Sequence, residues 1–143
     1  MNDGTPLESP PLTLDAQQIT DFARRFDPQP YHLDEAAAAA SIFGGLCASG
    51  WQVAALASRL TGEALQRAGI DYVTTTQVHQ LNWLKPTFVD ESLVARVTPG
   101  QRSSASAVPG CDSLDVGVVI VDQQGIEVAK MDCRVAVGRE SEQ

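Results

Sequence analysis

The chain has 143 residues, with 18 acidic and 10 basic side chains and a net charge of −8 at pH 7. This length predicts a single domain that buries roughly two thirds of its extended-chain surface. The negative charge repels phosphate backbones and anionic lipids, so it argues against nucleic-acid binding and against membrane association.

The cysteines and the apolar segments indicate a compartment. Cys47, Cys111 and Cys133 are odd in number and share no CxxC or Cys/His metal spacing. They are expected to be reduced thiols in a cytoplasmic protein without a bound metal. We find no signal-peptide pattern and no apolar run of the roughly 20 residues that a membrane span needs.

The N-terminal part of the chain predicts an arm, a short strand and a helix. Residues 1–11 contain one glycine and three prolines with little apolar content, so they are expected to form a poorly ordered arm before a domain over 12–143. Residues 12–14 are expected to extend as a short strand. Asp15 is a plausible N-cap for an amphipathic helix that ends near Phe26.

A proline-braced loop follows this helix. Pro28 and Pro30 predict a rigid, extended crossing that holds Asp27 and His32. An acid and an imidazole held in this way can converge for general acid–base chemistry. The alternative is an aspartate at a helix end and a histidine bonded to nearby backbone, and an isolated pair of this kind favours that alternative.

Two further helices are predicted. Asp34 is expected to cap a short helix over 35–40, although its carboxylate could also act beside His32. A glycine-rich loop then leads into a helix from Trp51 to about residue 68, which is apolar on all sides and therefore expected to be buried. This segment predicts the central helix of the domain.

The start of the central helix has the features of an oxyanion site. Ser49 is a good N-cap, and Gly50 leaves its backbone N–H unobstructed at the positive end of the helix dipole. That N–H could hold the oxygen of a thioester as it becomes an enolate. The alternative is that the glycines only allow a tight turn. Ser58, further along the helix, alone indicates little, because buried hydroxyls usually bond the carbonyl one turn back.

The C-terminal half predicts four strands, at about 71–84, 91–97, 114–121 and 126–137, with a connection over 100–112. Their short connections favour an antiparallel meander. With the helix, this predicts an α+β fold whose sheet wraps the helix. His79 is interpreted as structural, and Trp51 and Trp83 as core or interface anchors.

The motifs together resemble those of a known family. The run Asp27-Pro-Gln-Pro-Tyr-His32-Leu-Asp34, the Phe43-Gly44-Gly45 loop, the Ser49-Gly50 helix start and the later Lys85-Pro86 turn are similar to those of MaoC-like dehydratases, which include (R)-specific enoyl-CoA hydratases. The resemblance implies a hotdog fold, Asp27 and His32 as the catalytic pair, and Gly50 as the oxyanion donor. It further implies Gln29, Ser49 and Ser58 as substrate-binding residues. Gln29 replaces a usual Asn, and Ser49 replaces a frequent His.

The resemblance also implies a reaction and an assembly. We expect a hydratase or dehydratase acting on a trans-2-enoyl-CoA or (R)-3-hydroxyacyl-CoA in fatty acid metabolism, without a cofactor, as a homodimer. The alternatives are an acyl-CoA thioesterase, for which Glu63 is the only acid early in the central helix, and a non-catalytic acyl-CoA-binding protein. CoA would need basic groups, and the candidates are Arg25, Arg59, Lys85, Arg102 and Lys130.

Overall fold

A computed structural model describes residues 5–140 of the chain. Four helices and six strands follow one another along these residues. The elements are β1 (Leu7–Glu8), β2 (Leu12–Thr13), α1 (Ala16–Phe26), α2 (Pro30–Leu33), α3 (Glu35–Ala39), α4 (Gly50–Arg67), β3 (Tyr72–Trp83), β4 (Ser92–Ser103), β5 (Cys111–Val121) and β6 (Glu127–Gly138).

The strands form one antiparallel sheet in the order β1-β4-β5-β6-β3, and β2 also pairs with β4. The predicted antiparallel pairing is confirmed, but the meander holds only for β4, β5 and β6, because β3 pairs with β6 and not with the next strand, β4. Among the strands of residues 5–140, β3 pairs only with β6 and forms one edge of the sheet, and its register against β6 shifts at three places. At the opposite edge, β1 contributes only two residues.

Helix α4 packs its apolar side against the sheet. The core cluster contains Leu56 and Leu60 of α4 together with Val97, Val118 and Val135 from three strands. Alternating residues of β5 point into this core, as expected for a sheet with one covered face. The predicted α+β architecture, a central helix held by the sheet, is confirmed.

Helix α4 is not buried on all sides, and this differs from the expectation. Trp51, Ala55, Ser58 and Arg59 lie on an exposed face of the helix. The small and apolar residues on this face are left uncovered because no element of the described chain packs over them. The burial inferred from composition therefore holds for only one side of the helix.

Two local predictions need correction. Residues 5–11 do not form the poorly ordered arm that was expected, because Leu7–Glu8 pairs with β4 and the buried Ser9 hydroxyl accepts a hydrogen bond from the N–H of Ala95. The first four residues of that arm lie outside the described residues. The extended crossing is wrong after Gln29, because Pro30 begins the one-turn helix α2, a first position that proline tolerates well.

Strands β4 and β5 are longer than predicted and shorten the connection expected over 100–112 to residues 104–110. Arg102 secures this region by donating to the Asp112 carboxylate at 2.9 Å and to the Gly138 carbonyl oxygen at 2.9 Å. Within residues 5–140, no helix is long and apolar enough to cross a membrane.

Candidate active site

The end of α1 and the short helix α2 position an acid and an imidazole. Asp27 is the C-cap residue of α1, and its N–H donates to the Ala23 carbonyl oxygen at 2.8 Å. His32 lies in α2 and is 7% exposed. Because the helix ends and Pro30 fix the intervening backbone, the two side chains are held close together.

The hydrogen bonding of His32 defines its tautomer. Nδ1 lies 2.7 Å from the backbone carbonyl oxygen of Cys47. A carbonyl oxygen only accepts, so Nδ1 carries the proton and donates it there. In the neutral imidazole, Nε2 then keeps a free lone pair, and this nitrogen faces Asp27.

Asp27 and His32 are close, but they do not bond each other directly. Asp27 Oδ2 lies 3.6 Å from His32 Nε2, which is too long for a hydrogen bond. The Ser49 hydroxyl donates to the same Oδ2 at 2.7 Å. The carboxylate is thus oriented by Ser49 and directed towards the imidazole, and a small donor placed beside both groups could be shared by them.

Ser49 links this carboxylate to the start of α4. Its Oγ accepts from the Trp51 N–H at 3.2 Å, and its carbonyl oxygen accepts from the N–H of Gln52 and of Val53. Gly50, the first residue of the helix, precedes the intrahelical ladder, so its N–H has no acceptor inside the helix. The predicted N-cap is confirmed, and the Gly50 N–H is available at the positive helix end.

Gly50 is required because an aromatic ring packs against it. A Cβ at this position would lie 2.8 Å from atoms of the Trp83 indole, and the indole Nε1 donates to the Gly50 carbonyl oxygen at 2.7 Å. This close approach admits only glycine. Trp83 also packs edge-on against Trp51, with ring centroids 5.0 Å apart.

His32 and Gly50 line one cavity of about 440 Å³, which we call the His32 cavity. Its wall is mostly aromatic and aliphatic, and its few polar groups include His32 and Thr87. Such a cavity suits an apolar ligand that is oriented by few polar contacts. The apolar part of the wall includes Tyr31, Phe43, Val53, Trp83, Leu84 and Pro86.

The structure does not bring all the predicted site residues together. The Gln29 side chain is exposed and does not line the His32 cavity. Ser58 lies about 12 Å along α4 from Gly50, and its hydroxyl is 3.4 Å from the Tyr72 hydroxyl. Ser58 lines a second cavity of about 460 Å³ between α4 and strands β3 and β6, which we call the Ser58 cavity.

His79, interpreted as structural from the sequence, is an exposed residue of β3 that lines the Ser58 cavity. Glu63, the acid considered for a thioesterase, lies elsewhere. It is half exposed in an open groove and forms an ion pair with Arg59 at 3.8 Å. Its position about 20 Å along α4 from Gly50 separates it from the His32 cavity.

The thiols nearest the two cavities are not poised as nucleophiles. Burial raises the pKa of Cys47, whose carbonyl oxygen lies 2.7 Å from His32 Nδ1, while its sulfur makes a longer contact of 3.8 Å with the same nitrogen. Burial and the nearby Asp132 raise the pKa of Cys133 to about 11. Both thiols are therefore protonated at neutral pH.

Lys85 is used to hold the loop beside the His32 cavity. Its Nζ lies 2.6 Å from Asp122 Oδ2 and 3.9 Å from Glu91. The hydrogen bond to Asp122 is the main cause of a raised Lys85 pKa, and the same bond lowers the pKa of Asp122. Because the Lys85 ammonium is already paired with Asp122, it is less available to bind a phosphate of CoA than its sequence position suggested.

Most other basic candidates are also paired. Arg59 pairs with Glu63, Arg102 with Asp112, and Lys130 with Glu127. The guanidinium of Arg25 instead lies 5.6 Å from the centroid of the exposed Phe26 ring, and among the described residues we find no carboxylate paired with it. Of the five basic residues considered for CoA binding, Arg25 is therefore the one whose charge is most available.

Sequence reasoning missed several residues that shape the His32 cavity. Tyr31 packs against both His32 and Phe43, with ring centroids 4.6 and 4.8 Å apart. Thr87 lies in the wall after the Lys85-Pro86 turn. Its polar side chain directly after a turn was a signal, but nothing in the sequence indicated which way it would point.

Comparison with known proteins shows the family of this chain. Residues 2–108 match the model of the MaoC like domain. The chain belongs to the MaoC-like dehydratase family. A crystal structure of the MaoC-like dehydratase from Rhodospirillum rubrum is 33% identical, covers 99% of this chain and 96% of that one, and superposes with a TM-score of 0.78. The hotdog fold implied by the resemblance is confirmed.

Two further similar proteins are more distant or only partly matched. The unliganded (R)-hydratase PhaJ1 from Pseudomonas aeruginosa is 21% identical, with a TM-score of 0.73 over 100% of this chain and 88% of that one, and shows the shared fold. The uncharacterized protein YdeM from Bacillus subtilis is 32% identical over 90 residues. That match spans 63% of each chain.

Proposed function

We propose that this MaoC-like protein is a hydratase that adds water to a trans-2-enoyl-CoA to give an (R)-3-hydroxyacyl-CoA, and catalyses the reverse dehydration. The observation that carries this proposal is that His32 and Gly50 line one apolar cavity, with the Asp27 carboxylate 3.6 Å from His32 Nε2. Two groups suited to proton transfer and one backbone donor suited to an oxyanion meet there. The structurally similar PhaJ1 is an (R)-hydratase, which is the same class of enzyme.

The tautomer of His32 supports a specific step. Asp27 as carboxylate and Nε2 of neutral His32 are both acceptors, so a water that donates to both would bridge them. As its oxygen bonds to C3, Asp27 takes one of its protons. The C2=C3 electron pair moves to the thioester oxygen, which the Gly50 N–H holds as an enolate. The Asp27–His32 pair then returns a proton to C2, and no cofactor is needed in this scheme.

We further propose that the active form is a homodimer that pairs the β3 edges. No strand within the described part of the chain pairs with the outer edge of the 12-residue strand β3, and such edges recruit another strand. Trp51, Val78 and Trp83 are exposed apolar residues on or beside this edge. Pairing of two identical strands about a two-fold axis is antiparallel.

This pairing accounts for the position of Ser58. The His32 cavity adjoins Trp83 at one end of β3, whereas the Ser58 cavity extends along β3 from Thr75 to Leu81. Antiparallel pairing of β3 with its copy places the His32 cavity of one protomer near the Ser58 cavity of its partner. Ser58 would then serve the site across the interface, which its separation from His32 within one chain otherwise prevents.

The direct test is to follow the loss of enoyl-thioester absorbance with trans-2-enoyl-CoAs of increasing chain length, together with free-thiol release and chiral analysis of the product. Hydration to the (R)-3-hydroxyacyl product without thiol release is expected. Thiol release would identify a thioesterase, which the distance of Glu63 from the cavity disfavours. Tight binding of CoA esters without any turnover would identify a non-catalytic binding protein.

A further inference from the structure

Thr87 has an unusual environment for a buried threonine. It is 2% exposed and lines the His32 cavity. Within residues 5–140, its Oγ1 is one of three buried side-chain polar atoms without a hydrogen-bond partner. Leaving a buried hydroxyl unpaired is unfavourable, so native structures rarely keep one without a reason.

The backbone around Thr87 is held firmly, so the hydroxyl cannot reach a protein partner by a small loop movement. The Thr87 carbonyl oxygen accepts from the Ala48 N–H at 2.8 Å, directly beside the start of α4. The next residue, Phe88, donates its N–H to Glu91 at 2.7 Å. On the other side of Thr87, Lys85 is fixed by Asp122 at 2.6 Å.

Thr87 has one of the few polar side chains in the wall of the His32 cavity. His32 is committed to Cys47 through Nδ1 and faces Asp27 through Nε2. The remaining side chains include aromatic and aliphatic groups that would suit a plain hydrocarbon chain. A hydrocarbon in this cavity would leave Thr87 unpaired, whereas a ligand with a hydrogen-bonding atom would pair it. Oγ1 has almost no exposed surface where it now lies, and one staggered step about χ1 moves the hydroxyl to the position now held by the methyl group or by the Cβ hydrogen.

We propose that Thr87 recognises a polar substituent on the acyl group, so that the preferred substrate is an enoyl thioester with a hydroxyl or similar hydrogen-bonding group close to the reacting double bond. The inference rests on the proposed function, because the position of the reacting carbons follows from His32 and Gly50. A site that hydrogen-bonds a substrate group rejects the analogue that lacks it, since its own polar atom is then left unpaired.

The test compares two thioesters that differ by one group: 4-hydroxy-trans-2-butenoyl-CoA and trans-2-pentenoyl-CoA. The wild-type kcat/KM should favour the hydroxylated ester by at least about tenfold. Thr87→Val should reduce this preference by about the same factor, and Thr87→Ser should retain it. Intrinsic reactivity of the two esters is the same for every variant, so the change in the ratio measures recognition.

Thermal unfolding separates this role from a structural one. Because the hydroxyl has no internal partner, Thr87→Val should leave the Tm unchanged or raise it. A marked fall in Tm would show that the hydroxyl has a structural partner and would overturn the inference. An equal preference in wild type and Thr87→Val would also overturn it.

The role of Thr87 can also be tested if the protein is not a hydratase. If neither ester is hydrated, the hydratase proposal is wrong, and the dissociation constants of the same two esters still test Thr87. Tighter binding of the hydroxylated ester that Thr87→Val abolishes would support recognition by Thr87. Equal binding of the two esters to the wild-type protein would overturn it.

Discussion

The hydroxyl of Ser49 donates to Oδ2 of Asp27 at 2.7 Å while its oxygen accepts the Trp51 N–H at 3.2 Å. One side chain therefore caps the central helix and orients the carboxylate that faces His32. The start of α4 and the end of α1 are joined at the point where the chemistry is proposed to occur. Stability and the proposed activity are therefore expected to be coupled through Ser49.

Ser49→Ala should lose both effects. Removal of an N-cap costs about 1 kcal/mol of unfolding free energy, and release of the carboxylate should lower kcat by roughly tenfold or more because the base loses its orientation. Urea unfolding and enoyl-CoA hydration measure the two losses.

The matched control is Asp15→Ala, which removes the N-cap of α1, where Asp15 accepts from the Gln18 N–H at 2.8 Å. It should cost similar stability and leave kcat unchanged. Equal kcat losses in the two variants would mean that the Ser49 effect is only a consequence of reduced stability.

Gly50→Ala should disturb the start of α4 directly. The new Cβ would meet the Trp83 ring at 2.8 Å, so the ring or the helix must move, at a cost of about 1–3 kcal/mol. The displaced N–H should lower kcat more than it raises KM, because an oxyanion contact acts in the transition state.

Gly62→Ala, in the same helix, is the comparison for Gly50→Ala. Its Cβ would meet the Tyr72 ring at 2.9 Å, so a similar loss of stability is expected with a much smaller loss of kcat. Thermal unfolding and steady-state kinetics on both variants provide the test. Similar kcat losses would argue against a role for the Gly50 N–H.

The sequence predicted the helices and strands well where local signals were strong. Asp15 and Ser49 were identified as N-caps because an N-cap bonds backbone N–H groups only two or three residues further along, so the signal is local. Both caps are present. The residues after Gln29 were predicted incorrectly, because Pro30 is compatible both with an extended strand and with a first helical turn. The flanking sequence does not distinguish these two conformations.

The candidate site was predictable only in part. Asp27, His32 and Gly50 lie in one stretch of chain, so their motif could be recognised together. Thr87 reaches the same cavity through the pairing of Cys47 with Phe88, a tertiary contact that no sequence spacing indicates. The separation of Ser58 from His32 likewise depends on how α4 lies against the sheet.

Val78→Lys should prevent the proposed dimer. Val78 is 52% exposed on β3, and a charge there would be buried against the partner strand, which is a known way to block edge pairing. Sedimentation should show a dimer for the wild-type protein and a monomer for the variant, with loss of activity if the Ser58 cavity completes the site.

Ile126→Lys is the matched control for Val78→Lys, because it adds the same charge at a 48% exposed apolar residue just before β6. It should remain dimeric. A monomeric wild-type protein that is fully active would contradict the proposed assembly.

The Lys85–Asp122 pair should govern part of the acid stability. The folded state lowers the pKa of Asp122, chiefly through the bond from Lys85, so its contribution is complete above the ordinary aspartate pKa of about 4 and is lost as the pH falls through the lower folded value. Asp122→Asn should therefore lower the Tm at neutral pH and flatten its decline below about pH 4.

The control for the decline of the Tm at low pH is Asp21→Asn. This substitution removes an exposed ion pair with Arg24 and should change the Tm little at any pH. Scanning calorimetry between about pH 2 and 7 makes the comparison. If the Tm of Asp122→Asn declines at low pH as that of the wild-type protein does, the Lys85–Asp122 pair does not contribute to acid stability.

The most direct measurement for the whole account is hydration of a trans-2-enoyl-CoA by wild-type protein and by Asp27→Asn. Asparagine keeps the shape of the side chain and can still accept from Ser49, so the fold and the binding of CoA esters should be retained. We predict a fall in kcat of roughly 10²–10⁴-fold, because the general base is lost. Unchanged turnover by a folded Asp27→Asn variant would contradict the assignment of Asp27 as the base and, with it, the proposed mechanism.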